Sequence, residues 1–164
     1  MVQYCVVVTN GARARFFTLE PSEIPELQSG PNLIEHNQID NPFREMHGDE
    51  LWSEAKTGRN RAAIGGPAHG YDDHRDQHRD EYERRFANSV ADECCRLSHH
   101  HKASDVVIVS QKRMLGFLRS ALETRMNGRR TTEIAKDLSK LSPIQVHEHL
   151  ARENLLPPRR TPAA

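Results

Sequence analysis

The sequence predicts an α/β domain on a mixed five-stranded sheet, in the order β-β-β-α-β-α-β-α, with a long loop after the third strand. Three observations carry this. Two continuous valine-rich runs, YCVVVT at 4–9 and DVVIV at 105–109, have the length and composition of strands buried on both faces. Tyr82, Phe86, Val90, Cys94 and Leu97 recur at the spacing of one helical face. Three strand-like segments in succession imply hairpins, whereas strands alternating with helices in the second half imply parallel pairing.

Tyr4–Thr9 is the first strand, and Asn10-Gly11 after it is a dipeptide that favours a tight hairpin turn. Ala14–Leu19 returns, and a polar connection with Pro21, Pro25, Gly30 and Pro31 leads to a third strand, Leu33–Asp40. From Asn41 to about Tyr71 the chain is polar, aperiodic and glycine-bearing, with only Leu51 and Trp52 to pin it. A loop of that length is a functional or mobile feature. The helix that follows closes at His99–His101 and Lys102, cations at the end the macrodipole favours. After Asp105–Val109, Met114, Leu115, Leu118 and Leu122 mark a second amphipathic helix, ended by Asn127-Gly128. Arg130–Ile134 reads as the last strand. Ser142-Pro143-Ile144-Gln145 then supplies a capping serine, proline at the first helical position and glutamine three residues after the cap. Leu141 and Val146 sit where a hydrophobic staple belongs, and the closing helix runs from Pro143 to about Asn154. One domain is expected over residues 1–155, with a mobile loop at about 41–71 and a frayed tail at 156–164. This element order is that of ribonuclease H-like folds.

Composition narrows the function classes. The chain has 164 residues, 36% of them hydrophobic, with 23 basic and 23 acidic side chains. Its mean hydropathy is −0.76. That balance points to no polyanionic partner for the molecule as a whole, and no DNA partner is expected. MVQYCVVVT lacks a basic leader, and nothing approaches the roughly 20 apolar residues of a membrane span. No membrane partner and a cytoplasmic location are therefore expected. Cys5, Cys94 and Cys95 form neither an even framework nor a CxxC, which fits reduced core thiols.

The candidate chemistry is sparse. A two-metal nuclease needs a carboxylate in its first strand, and YCVVVT has none. His74 and His78 stand at i, i+4 with Asp73 beside them, the spacing of a metal pair. Arg75, Asp76, Arg79 and Glu83 around them equally describe a solvated, ion-paired helix face. His99, His100 and His101 point about 100° apart on a helix and read as a C-terminal cap. No GxSxG occurs, and no GK[ST] follows Gly65-Gly66, so neither a nucleophile elbow nor a phosphate loop is present. No cofactor is expected. Lys112, Arg113, Arg119, Arg125, Arg129 and Arg130 accompany a single acid, Glu123, and Arg59 and Arg61 precede the glycine pair. Such cations can meet phosphates, although no aromatic residues interleave them to stack bases.

CVVVTNGARARFF, SQKRMLGFLRSAL and KDLSKLSPIQVHEHL, in that order, resemble the bacterial host attachment protein family. NGARAR and KDLSKLSP are the specific pair. The family's first motif usually reads DGARAR, so Asn10 removes an acid. The family is related to the middle domain of archaeal and eukaryotic class I peptide release factors, which implies a ribonuclease H-like fold. In those factors a loop between the third strand and first helix carries Gly-Gly-Gln into the ribosomal peptidyl-transferase centre, where the glutamine helps position water. The resemblance thus implies a ribosome- or tRNA-contacting tip at Gly65, Gly66, Pro67 and His69, and the local charge makes Arg59, Arg61, Lys112 and Arg113 the candidate nucleic-acid contacts. Proline has neither a side-chain amide nor a backbone N–H, so Pro67 cannot do the glutamine's work, and His69 is the nearest stand-in. The family name implies a role in host attachment, indirect for a chain without an export signal.

Overall fold

The computed structural model describes residues 3–41, 68–126 and 128–162, without the side chains of residues 68–77. Its elements run β1 (Tyr4–Thr9), β2 (Arg13–Glu20), β3 (Asn32–Asp40), α1 (Ala68–His100), β4 (Asp105–Ser110), α2 (Lys112–Glu123), β5 (Arg130–Ala135) and α3 (Pro143–Arg152). The sheet order is β3-β2-β1-β4-β5. β1 and β2 pair antiparallel, as do β2 and β3. β1 with β4, and β4 with β5, are parallel. The predicted mixed five-stranded sheet with three helices is what the chain forms.

β1 and β4 occupy the centre because they carry apolar side chains on both faces. Cys5, Val7, Val106 and Ile108 pack with Phe16 beneath α1 and α2. Val6, Val8, Val107 and Val109 pack with Phe17 and Leu19 beneath α3. Each large side chain removed from water this way contributes roughly 2–3 kcal/mol. Phe16 and Phe17, adjacent and both fully buried, anchor β2 in the two cores at once. The three cysteines are free; Cys5 and Cys94 are buried in the first core, where the hydrogen bond with Cys5 and then burial push the Cys94 thiol up.

Thr9 pairs with Ala14 as expected, and the Asn10 side chain organises the four-residue turn between them. Its Oδ1 accepts from the Ala12 and Arg13 N–H groups at 2.8 and 2.9 Å. Other boundaries differ from expectation for physical reasons. α1 begins at Ala68, inside the segment read as loop, and runs for 33 residues. Ion pairs Arg85–Glu81 and Arg79–Glu83 at i, i+4 support its polar part, which apolar spacing alone does not reveal. It ends in a Schellman motif: Lys102 takes φ 54°, and the Ala103 N–H reaches the Ser98 carbonyl at 2.8 Å. α2 stops at Glu123, and Gly128, at φ 82°, turns the chain into β5.

α3 has the capping box its sequence announced. Ser142 Oγ accepts from Gln145 N–H, and Gln145 Oε1 accepts from Ser142 N–H. Val146 is fully buried and Leu141 packs against the same core, as the staple requires. Past α3, where a frayed tail was expected, Leu156 is buried at 4% exposure. The buried His147 Nε2 lies 2.7 Å from the Pro157 carbonyl, and Gly30 and Arg160 exchange two backbone hydrogen bonds.

Candidate functional site

The two sequence motifs that stood out, NGARAR and KDLSKLSP, meet in space. NGARAR forms the β1–β2 turn and the start of β2; KDLSKLSP forms the link from β5 to α3. The junction lies at the carboxyl ends of the parallel strands β1, β4 and β5, the edge where open α/β sheets place their crevices.

Arg15 is its centre. β2 projects this side chain towards α3 with Phe17, whose ring lies 5.0 Å from the guanidinium carbon. Its Nε and Nη2 donate to the two carboxylate oxygens of Glu35 at 3.1 and 2.7 Å. Its Nη1 donates to the Ser139 and Leu141 carbonyls at 3.1 and 2.6 Å. One guanidinium fork thus ties β3 to the link before α3, a geometry that lysine's single ammonium does not match. The Arg15 hydrogen bonds hold the Glu35 carboxyl below its ordinary range, with Gln38 adding a further donor.

Asn10 and Asp137 complete the junction. Asn10 Nδ2 donates to Ser139 Oγ at 3.1 Å. Asp137 accepts from the Ser139 hydroxyl at 2.5 Å and N–H at 3.1 Å, and from Gln111 Nε2 at 3.2 Å. The Ser139 hydroxyl is the main cause of a carboxyl lowered from its usual range. Nearby in the fold, Ser110 at the end of β4 is fully buried, and its hydroxyl has no partner among the described residues. The junction is a connected polar array that fixes three strand ends, with a carboxylate but no nucleophile–base pair.

The residues singled out in the sequence fall elsewhere. Gly65, Gly66, Pro67, Arg59 and Arg61 lie outside the described residues. His69, Asp73 and His74 are on the first turns of α1, with side chains outside the description. His78 is exposed and stacks on Tyr82, with centroids 6.4 Å apart. Lys112 opens α2 and is exposed. Arg113 pairs with Asp80 and, at 2.7 Å, with Glu83, which is itself buried. Arg119 pairs with Glu133, Arg125 with Asp92, and Arg129 donates to the Ala103 carbonyl. Much of the charge that is unbalanced along the sequence is therefore balanced across elements.

Asp137, Ser139 and Gln111 escaped the sequence reading because nothing in their spacing advertises a site. The signal that points to them is the set of family-type motifs, since Asp137 and Ser139 lie in KDLSKLSP and Gln111 in SQKRMLGFLRSAL. A groove of about 650 Å³ between α1 and α2, lined by Arg84, Arg113, Phe117 and Arg125, was equally invisible, since helix pairing sets it.

Among the described residues no helix is long and apolar enough to cross a membrane. No curated protein matches the chain. The model of the family described as protein required for attachment to host cells matches residues 5–150, from the first strand through the last helix and across both motifs of the junction. The chain belongs to that family of proteins required for attachment to host cells.

Proposed function

We propose that this member of the host attachment family is a release-factor-like α/β domain that contacts the ribosome or tRNA without hydrolysing peptidyl-tRNA. The observation that carries the reading is topological. A β3-β2-β1-β4-β5 sheet, antiparallel in its first half and parallel in its second, supports reading the fold as ribonuclease H-like. In chain order Gly65-Gly66-Pro67 stands between β3 and α1, which supports comparing it with the tip that release factors carry between the same elements. Adjacent glycines allow backbone to approach a crowded partner closely. Pro67 in the glutamine position removes the water-positioning amide, so contact without catalysis is the consistent outcome. Release-factor kinship, the ribonuclease H-like label, a single domain over 1–155 and a cytoplasmic location all belong to this reading.

Binding of the fluorescently labelled chain to deacylated tRNA and to 70S ribosomes, measured across a salt series, tests it. Contact through phosphates gives an affinity that falls steeply with salt, since each neutralised phosphate releases counterions. An affinity indifferent to salt, or no binding to either, rejects it.

A second reading, a protein-interaction or regulatory domain that has lost RNA contact, draws on the ion pairs of Arg113, Arg119 and Arg125. Cations already engaged by Glu83, Glu133 and Asp92 have less to offer a phosphate. This reading predicts that substituting Gly65, Gly66, Arg59 and Arg61 together changes nothing in cellular behaviour. A metal site at Asp73, His74 and His78 stays a weaker third, decided by elemental analysis of untagged protein.

A further inference from the structure

Three residues far apart in sequence, on β2, on β3 and just past the end of α1, bring metal-ligating atoms together. Glu20 ends β2, His36 lies in β3, and His101 follows the last turn of α1. One ligand atom from each lies within 4.8 Å of the other two. The His36 and His101 rings are 4.8 Å apart between centroids, tilted by 46°. Two imidazoles at that distance repel once both are protonated. Beside a carboxylate they become a matched donor set for a dication.

The backbone shows how His36 gets there. β2 pairs Phe17 with Glu35 and Phe16 with Asn37, so His36 is the extra residue of a bulge. Bulges re-aim side chains, and here Glu35 reaches Arg15 on the α3 face while Asn37 bonds Glu93 of α1 on the other. His36 sits between them with its Nε2 2.6 Å from the hydroxyl of Thr18, a buried residue. With Nε2–H donated to that hydroxyl, the Nδ1 lone pair is left for a ligand, which is the role outer partners play around metal-bound histidine.

We propose that Glu20, His36 and His101 form a binding site for a divalent transition metal, zinc(II) by the chemistry of its donors. Two imidazole nitrogens and one carboxylate oxygen are borderline ligands that suit zinc, with a fourth position left for water. Tetrahedral zinc places its donors about 3.3 Å apart, so the ligands close in by rotation about side-chain torsions. His36 is exposed and Glu20 and His101 half-buried, so such movement meets little packing. Burial and the neighbouring His36 and His100 hold His101 below its ordinary range, which favours the neutral form that binds metal. Bound zinc would clamp the ends of β2 and α1 to the bulge in β3.

The test uses the full untagged chain, stripped with a chelator and titrated with zinc chloride in a calorimeter. One equivalent of zinc binds, and Glu20→Gln, His36→Ala and His101→Ala each weaken it by at least tenfold. Thr18→Val weakens it about tenfold through His36 alone. His99→Ala, one residue before the T-shaped His100–His101 pair, leaves it unchanged. Cobalt(II) in place of zinc reports tetrahedral coordination by its visible absorption. Circular dichroism of each variant shows that the fold persists. Absence of stoichiometric zinc, or zinc binding that survives the His36→Ala/His101→Ala double substitution, overturns the proposal.

Discussion

Arg15 of β2 and Glu35 of β3 form a two-point ion pair, 2.7 Å at its shorter contact, with the arginine side chain only 9% exposed. Since Arg15 also holds the Ser139 and Leu141 carbonyls, its removal strands a carboxylate and two acceptors together. Breaking a fully buried pair costs about 3–5 kcal/mol. Glu35 is 22% exposed, and solvent recovers part of that, so Arg15→Met should cost about 2 kcal/mol. Arg15→Lys keeps the charge but loses the fork, and should still be clearly destabilising in urea unfolding. Arg15→Met combined with Glu35→Gln should recover part of the loss, because the stranded charge is gone.

The same pair sets a pH dependence. Arg15 lowers the Glu35 carboxyl in the folded chain, so its contribution is complete above the ordinary glutamate value of about 4.3. It is lost as pH falls through the lowered folded value. Asp137, lowered chiefly by the Ser139 hydroxyl, acts in the same direction. Thermal unfolding of the unsubstituted chain and of Glu35→Gln should differ by a constant amount near neutrality. The difference should shrink as the solution is acidified below about pH 4.

Asn10 separates two roles that one substitution each can dissect. Asn10→Ala removes the acceptor of two turn N–H groups and the donor to Ser139 Oγ, and should cost about 1–2 kcal/mol in chemical unfolding. Asn10→Asp keeps the acceptor but sets a second carboxylate beside Ser139, whose hydroxyl proton already serves Asp137. That variant should be nearly as stable as the parent at acidic pH and less stable at neutral pH. Equal stability at both would show that Asn10 and Asp137 do not share the serine.

Gly30 is required for contact, not for a positive φ. A Cβ there would lie 2.9 Å from both Cβ and Oγ of Ser22, and the residue also exchanges two backbone hydrogen bonds with Arg160. Gly30→Ala should therefore cost about 1–3 kcal/mol, as overpacked sites do. Limited proteolysis of that variant should cut first near residues 157–162, which the bridge holds.

The sheet was legible because its central strands are buried on both faces and announce it: Val6 to Val8 and Val106 to Val109 admit little else. The capping box before Pro143 was legible for the same local reason. What sequence did not show is set by contacts between distant residues. The bulge at His36, the reach of Arg15 to Leu141 and the burial of Leu156 depend on which elements meet. The start of α1 lies earlier than expected because the polar sequence ahead of Tyr82 carries no apolar period. Among the candidate residues, those on Gly65-Gly66-Pro67 rest on resemblance, and Arg113, Arg119 and Arg125 lose their apparent freedom once Glu83, Glu133 and Asp92 are seen beside them.

The most direct test of the functional account is co-sedimentation of the full chain with 70S ribosomes, idle and stalled, at moderate salt. The account predicts that the chain pellets with ribosomes, releases no peptide from peptidyl-tRNA, and loses the association when Gly65 and Gly66 are both replaced by valine. A chain that stays in the supernatant with both kinds of ribosome would contradict it.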